Sequence, residues 1–339
     1  MKVVVFTGGT GGTKLVQGLQ QVVEPSDLTV IVNTGDDIEW WGLHVSPDID
    51  SVLYGLSGLL SKERGWGVED ESFRCLERML QLGEPSWFSL GDLDLATHLT
   101  RTSLLRQGLT LTEATAELAR RMRIGARVLP MSDDRVSTML ETSKGRLNFQ
   151  EYFVRERHSV EVHSVEFVGA ERSRPAPGVQ EAIASADAVI LAPSNPVTSI
   201  GPILAVPGIR DALRRAEAPV VAVSPVIGGE AVSGPAAALM RMQGWPSTVA
   251  GIAQAYADFL DVLVVDSADA EAADGLSSGD LRVVCTCALM RSVTDKIHLA
   301  RVCLDSATRL QPQDGCAPFA RRRESARLGP SLTKEARSG

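Results

Sequence analysis

Residues 3–19 read VVVFTGGTGGTKLVQGL, and this stretch decides the fold. A valine-rich run, Val3–Phe6, passes straight into Gly8, Gly9, Gly11 and Gly12, and then into helical spacing from about Lys14 to Val22. A second apolar run follows at Leu28–Val32. Strand, helix and strand in this order make a βαβ unit. Glycine in the turn lets a ligand approach the backbone and exposes N–H groups to it. The helix behind the turn adds the positive end of its dipole. Phosphate is the guest this chemistry favours; the alternative is a tight turn with no ligand. Neither familiar phosphate motif fits. A P-loop needs Gly-Lys-Ser/Thr, whereas Lys14 follows Thr13 and precedes Leu15. A dinucleotide fingerprint counted from Gly9 needs a glycine where Lys14 stands. Lys14 is either a phosphate cation or a solvated lysine of the first turn.

The same design recurs along the chain. Short valine-rich runs at Ala188–Ala192, Pro219–Val223 and Val262–Val265 alternate with helical segments at Gly208–Ala216 and Thr248–Phe259. The spacing predicts an α/β, Rossmann-like fold, with a mostly parallel sheet covered by helices on both faces. Residues 51–123 carry helical patterns such as FRCLERMLQLG and TEATAELARRM, and predict a helical insertion. The nucleotide-binding core then comprises residues 1–50 and 124–311. Asn148–Val168 alternates and predicts an antiparallel extension. Residues 312–339 are polar and basic, which predicts a disordered tail.

The 339 residues carry a net charge of −8, which argues against broad nucleic-acid binding. Five scattered cysteines predict reduced thiols rather than a metal site. No signal segment is expected ahead of the first strand, and no apolar run is long enough to span a bilayer, so a cytoplasmic protein free of membranes is expected.

Acidic and polar loops follow the strands. NTGDD, residues 33–37, sits at a strand end beside the glycine turn, where open α/β sheets place ligands. Its adjacent carboxylates, Asp36 and Asp37, repel unless something offsets the charge. A hard cation such as Mg²⁺ does so; the alternative is Asp37 as a helix N-cap. SPDID brings Asp48 and Asp50, either aimed inward or capping a helix. LGDLDLATH brings Asp92, Asp94 and His98, the last two sharing a helix face. LPMSDDRVST, residues 129–138, either lines the same cleft or forms a turn. SNPVTSIGPIL, residues 194–204, and VSPVIGGEAVSGPA, residues 223–236, follow two buried strands and suit nucleotide recognition by backbone and amide groups. Ordinary turn chemistry is their alternative.

In order, GGTGGTKL, NTGDD, SPDID, LGDLDLATH, LPMSDDRVST, SNPVTSIGPIL, VSPVIGGEAVSGPA and DFLDVLVVD closely resemble the 2-phospho-L-lactate transferases of coenzyme F420 biosynthesis. The resemblance runs from residue 3 to about residue 310. It implies a Mg²⁺-dependent enzyme, usually a homodimer, with two small-molecule substrates. The acceptor is Fo (7,8-didemethyl-8-hydroxy-5-deazariboflavin). The donor is a guanosine diphosphate ester carrying lactate or a related three-carbon acid. The ribityl hydroxyl of Fo attacks the distal phosphorus, GMP leaves, and F420-0 or its dehydro form results. On this resemblance Gly8, Gly9, Thr10, Gly11, Gly12 and Lys14 hold phosphate. Ser194, Asn195, Ser199, Ile200 and Gly201 receive the guanosine part, and Ser224 and Gly228 close the other wall. Asp36, Asp37 and Asp50 hold or orient the cation. Asp36 and Asp50 are the catalytic pair, and Asp50 is placed to take the proton of the Fo hydroxyl. Fo is expected against Asp50, Ser89, Asp92 and His98, with Trp40 and Trp41 as its aromatic shelf or as core. Ser89 replaces the lysine of archaeal relatives, and NTGDD replaces their NTAED. Both departures suggest the bacterial donor, derived from phosphoenolpyruvate.

Two rivals remain. Proteins of the same fold bind UDP-sugars and regulate without transfer, but look different at SPDID and LGDLDLATH. A NAD(P)-dependent oxidoreductase lacks support, since the third glycine of its fingerprint is missing.

Overall fold

The computed structural model describes residues 1–232, 234–277 and 281–309; the expected tail lies outside them. The chain opens with β1 (Val3–Thr7), α1 (Gly9–Leu19) and β2 (Leu28–Val32). A hairpin of β3 (Ile38–Trp40) and β4 (Leu43–Val45) leads into α2 (Pro47–Ser57). Three helices follow, α3 (Arg74–Gln81), α4 (Asp92–Arg106) and α5 (Leu111–Arg121), and return the chain to β5 (Arg127–Pro130). Next comes a small antiparallel sheet of β6 (Ser137–Thr142), β7 (Gly145–Asn148) and β8 (Val162–Val168). The second half alternates α6 (Val179–Ala184), β9 (Ala188–Leu191), α7 (Ile200–Ala205), α8 (Ile209–Arg215) and β10 (Val220–Val223). A short hairpin, β11 (Val226–Ile227) and β12 (Glu230–Ala231), precedes α9 (Ala236–Met242) and α10 (Val249–Ala255). The chain then adds β13 (Val262–Asp266), α11 (Ala270–Ala273), β14 (Arg282–Thr286) and α12 (Val293–Thr308).

Seven strands pair in the order β14-β13-β10-β9-β1-β2-β5. Every pair is parallel, with Val3 beside both Leu28 and Ala188. The alternation of side chains explains the unbroken apolar runs. Val4 and Phe6 of β1 pack into one core with Ile183, Ile203, Ile209 and Ile252. Val3 and Val5 pack into the other with Leu15, Leu19, Leu53 and Leu299. Both faces of each central strand are covered, so neither can be polar. Burying one such side chain contributes roughly 2 kcal/mol. No helix among the described residues is long and apolar enough to cross a membrane.

Three local readings are adjusted. Helix α1 begins at Gly9 rather than Lys14 and ends at Leu19, so the glycines form its N-cap and first turn. Close packing permits this: a Cβ on Gly12 would meet Thr7 Oγ1 at 1.9 Å, and one on Gly11 would meet the Pro193 carbonyl at 2.6 Å. Helix α2 begins at Pro47 and adds Ile49, Val52, Leu53 and Leu56 to the core beneath β1 and β2. The antiparallel sheet starts at Ser137, and within the stretch expected as strand, Glu151–Arg155 is a π-helical turn.

Candidate functional site

The chain runs outward from β1 to β2 and β5, then reverses to β9 on the other side of β1. At such a switch point two neighbouring loops leave the sheet in opposite directions, and a crevice opens between them. Here it is a cavity of about 550 Å³. Its walls are Gly8–Gly11 after β1, Asp36 after β2, Pro193–Asn195 with Thr198 and Ser199 after β9, and Ser224 after β10.

Asn33 ties three of these loops together. Its Nδ2 donates to Asp48 Oδ2 at 2.9 Å and to the Thr198 carbonyl at 3.3 Å, while its Oδ1 accepts from Gly35 N at 2.8 Å. Asp48 also accepts from Gly9 N at 2.7 Å. The first amide of α1 therefore faces a carboxylate from α2. Proline at the start of α2 and acids in its first turn suit the end of a helix dipole. Ser46 precedes α2 but does not cap it, because its hydroxyl donates to Asp37 Oδ2 at 2.7 Å.

Burial dominates the acid chemistry. It pushes the Asp48 carboxyl up to about 6, against the hydrogen bonds from Gly9 and Asn33. Burial, and then the charge of Asp48, hold Asp36 well above the ordinary carboxylate range. Asp36 Oδ1 is buried with no hydrogen-bond partner. Two buried acids lining one cavity, one with an orphaned oxygen, offer carboxylate donors of the kind a hard divalent cation takes.

A second group lies on the α4 side. His98 Nε2 is 3.2 Å from Asp94 Oδ1, and His98 Nδ1 is 3.5 Å from Asp50 Oδ2. Tyr54 donates to Asp94 at 2.6 Å. Burial, and then the charges of Asp50 and Asp94, raise the Tyr54 phenol, keeping it a donor. Burial alone would raise Asp94, but the imidazole beside it and the Tyr54 hydroxyl bring it below its ordinary value. Asp50 pairs with Arg101 through both carboxylate oxygens.

The structure brings Gly8, Gly9, Thr10, Gly11, Lys14, Asp36, Asp50, Ser89, His98, Ser194, Asn195, Ser199 and Ser224 to one cavity. Others fall outside it. Asp37 was expected beside the cation, but it turns to His44 at 3.1 Å and Ser46 at 2.7 Å. Asp48, which does line the cavity, stands beside Gly9 instead. Asp92 holds the start of α3, accepting from Cys75 N at 3.0 Å and Arg74 N at 3.3 Å. Gly12 is packed under Thr7 and Ser194, and Gly201 under Phe167. Ile200 is core. Gly228 N donates to Asp269 at 2.8 Å. Ser132 and Asp134 serve a turn with Arg174.

Trp40 and Trp41 do not reach the cavity. Trp40 packs behind it with Phe88, at 5.9 Å between ring centres, and Trp41 donates to the Pro85 carbonyl at 3.0 Å. The aromatic lining is instead Tyr54, Trp66, Phe88, Phe149 and Phe153. Phe149 and Phe153 stack at 5.5 Å, with 10° between their planes. The sequence reading also missed Arg101, although Asp94, His98 and Arg101 recur at one-face spacing on α4.

The sequence profile of the family described as 2-phospho-L-lactate transferase CofD matches residues 3–286. A phosphoenolpyruvate transferase of Streptomyces griseus is 45% identical over 313 residues, covering 91% of this chain and 98% of that one. A 2-phospho-L-lactate transferase of Methanococcoides burtonii is 45% identical over 290 residues, covering 86% of this chain and 94% of that one. Among solved structures, a UPF0052-family protein from Bacillus halodurans matches with a TM-score of 0.59 at 19% identity, covering 90% of this chain and 100% of that one. That likeness concerns the fold.

Proposed function

Because this chain belongs to the 2-phospho-L-lactate transferase family, we propose that it transfers a phospho-three-carbon-acid group in coenzyme F420 biosynthesis. The donor is a guanosine diphosphate ester of lactate or enolpyruvate, whose distal phosphorus carries the acid. The acceptor is the ribityl hydroxyl of Fo. The hydroxyl oxygen bonds to the distal phosphorus, the bond from that phosphorus to GMP breaks, and F420-0 or its dehydro form results.

The observation that carries this reading is that Asp36, Asp48 and Asp50 line the same cavity as the start of α1. A diphosphate ester needs charge neutralisation and in-line placement more than covalent help. The backbone amides of Thr10 and Gly11 and the dipole of α1 hold phosphate oxygens, with Lys14 as a nearby cation. Asp36 and Asp48 would hold Mg²⁺ away from the Arg101-paired Asp50, and the ion would neutralise diphosphate charge. Asp50 accepts the hydrogen of the Fo hydroxyl, orients its oxygen, and receives the proton as the new bond forms. Ser194, Asn195 and Ser199 face the guanosine part. The deazaflavin ring takes the apolar side, against Phe149 and Phe153.

The test is turnover. Purified protein is mixed with Fo, Mg²⁺, GTP and the guanylyltransferase partner. Phospholactate, phosphoenolpyruvate and 3-phosphoglycerate are added in turn, and products are read by mass spectrometry. An F420-0-type product with equimolar GMP is expected. Thermal stabilisation by a UDP-sugar, with no product from any donor, overturns the proposal.

A further inference from the structure

Arg101 has no part yet in the reaction. It is the largest fully buried side chain among the described residues, and it does not line the cavity. A guanidinium cut off from water needs a carboxylate opposite it. Arg101 Nη1 donates to Asp50 Oδ2 at 3.1 Å, and Nη2 donates to Asp50 Oδ1. Two parallel N–H···O bonds fix the plane of a carboxylate as well as its place. An ammonium offers a point charge and leaves that plane free to turn.

The surroundings reinforce the pair. His98 Nδ1 sits 3.5 Å from Asp50 Oδ2 and 3.5 Å from Arg101 Nη1. Asp94 Oδ1 lies behind His98 and takes the Tyr54 hydroxyl. Candidate ligand atoms of Asp50, Asp94 and His98 lie within 4.8 Å of one another, close enough for a metal ion. The guanidinium on both Asp50 oxygens already supplies the positive charge there, and a second cation beside it meets repulsion.

We propose that Arg101 is a positioning residue for the transfer, holding the Asp50 carboxylate in the one orientation in which it meets the acceptor hydroxyl. This rests on the reading that Asp50 faces Fo. Arg101 acts only through Asp50, so its value disappears once Asp50 can no longer act.

A double-mutant cycle tests this, with kcat and both KM values measured at saturating Mg²⁺ for wild type, Arg101→Met, Asp50→Asn and the double variant. Arg101→Met is expected to lower kcat about 100-fold in the wild-type background, and less than about 3-fold beside Asp50→Asn. The KM for the guanosine ester is expected to stay within about 3-fold throughout. An equal loss in both backgrounds overturns the proposal and leaves the transfer reading standing. A wild-type protein without turnover overturns both. Should Arg101→Met not fold, Arg101→Lys carries the same cycle. Its expected loss is about 10-fold in kcat, absent beside Asp50→Asn. A loss that persists there overturns the proposal.

Discussion

Asp48 shows how one residue links fold and site. Its carboxyl is raised to about 6 chiefly by burial, so the folded protein holds that proton more tightly than the unfolded chain does. Such a group favours folding below its unfolded value near 4, and that contribution is lost as pH rises through about 6. The gap amounts to about 3 kcal/mol. Metal-free protein is therefore expected to lose stability from about pH 4 to about pH 6 more steeply than Asp48→Asn. Urea titrations across that range measure it; parallel curves for the two proteins would contradict the assignment. Adding Mg²⁺ at neutral pH is expected to stabilise wild type by more than 1 kcal/mol and Asp48→Asn by less, read as a shift in Tm. Residue by residue, the acids were legible as a class but not in direction. Asp36 and Asp37 are adjacent and point to different partners, and only the fold decides that Asp48 joins Asp36. Arg101 lies 51 residues from Asp50, a pairing that no spacing rule writes into a sequence.

At the scale of elements, the β1–α1 junction was legible because its pattern is local. Valines buried on both faces and a glycine turn state strand and helix without help from the rest of the chain. The start of α1 was not, since glycine disfavours helix and only packing against Thr7, Pro193 and Ser194 explains its choice. A methyl group at position 12 has no space, so Gly12→Ala is expected to cost about 1–3 kcal/mol and to weaken donor binding together with Tm. Gly42→Ala tests the opposite case. That glycine has nothing near its Cβ position but a φ of +72°, so its smaller cost of about 1 kcal/mol comes from backbone strain alone, with donor binding unchanged. Calorimetric unfolding of both variants separates crowding from strain. The sequence leaves the hairpin tryptophans open as shelf or core for a similar reason; β3 and β4 place Trp40 in a small core behind Phe88 rather than in the cleft.

Across the whole molecule, the switch between β1 and β9 brings loops from both halves of the chain to one cavity, while the connection between β7 and β8 adds Phe149 and Phe153 to its apolar wall. Phe153 comes from the turn between β7 and β8 and remains 38% exposed. Phe153→Ala is expected to raise the KM for Fo about 10-fold with the donor KM unchanged, as loss of one ring face of stacking implies. Trp41→Ala is expected to leave both KM values alone. Steady-state kinetics with each substrate varied in turn reads the difference.

The bond from Gly9 N to Asp48 has a consequence for the order of events. On the proposed reading, a bivalent ion competes with the Gly9 amide for the Asp48 carboxylate, and an incoming diphosphate held by Thr10 and Gly11 competes with that carboxylate for the adjoining Gly9 amide. Whichever guest arrives first releases half of the other's seat. Metal and nucleotide are then expected to bind with positive heterotropic linkage, each tightening the other by one and the same factor.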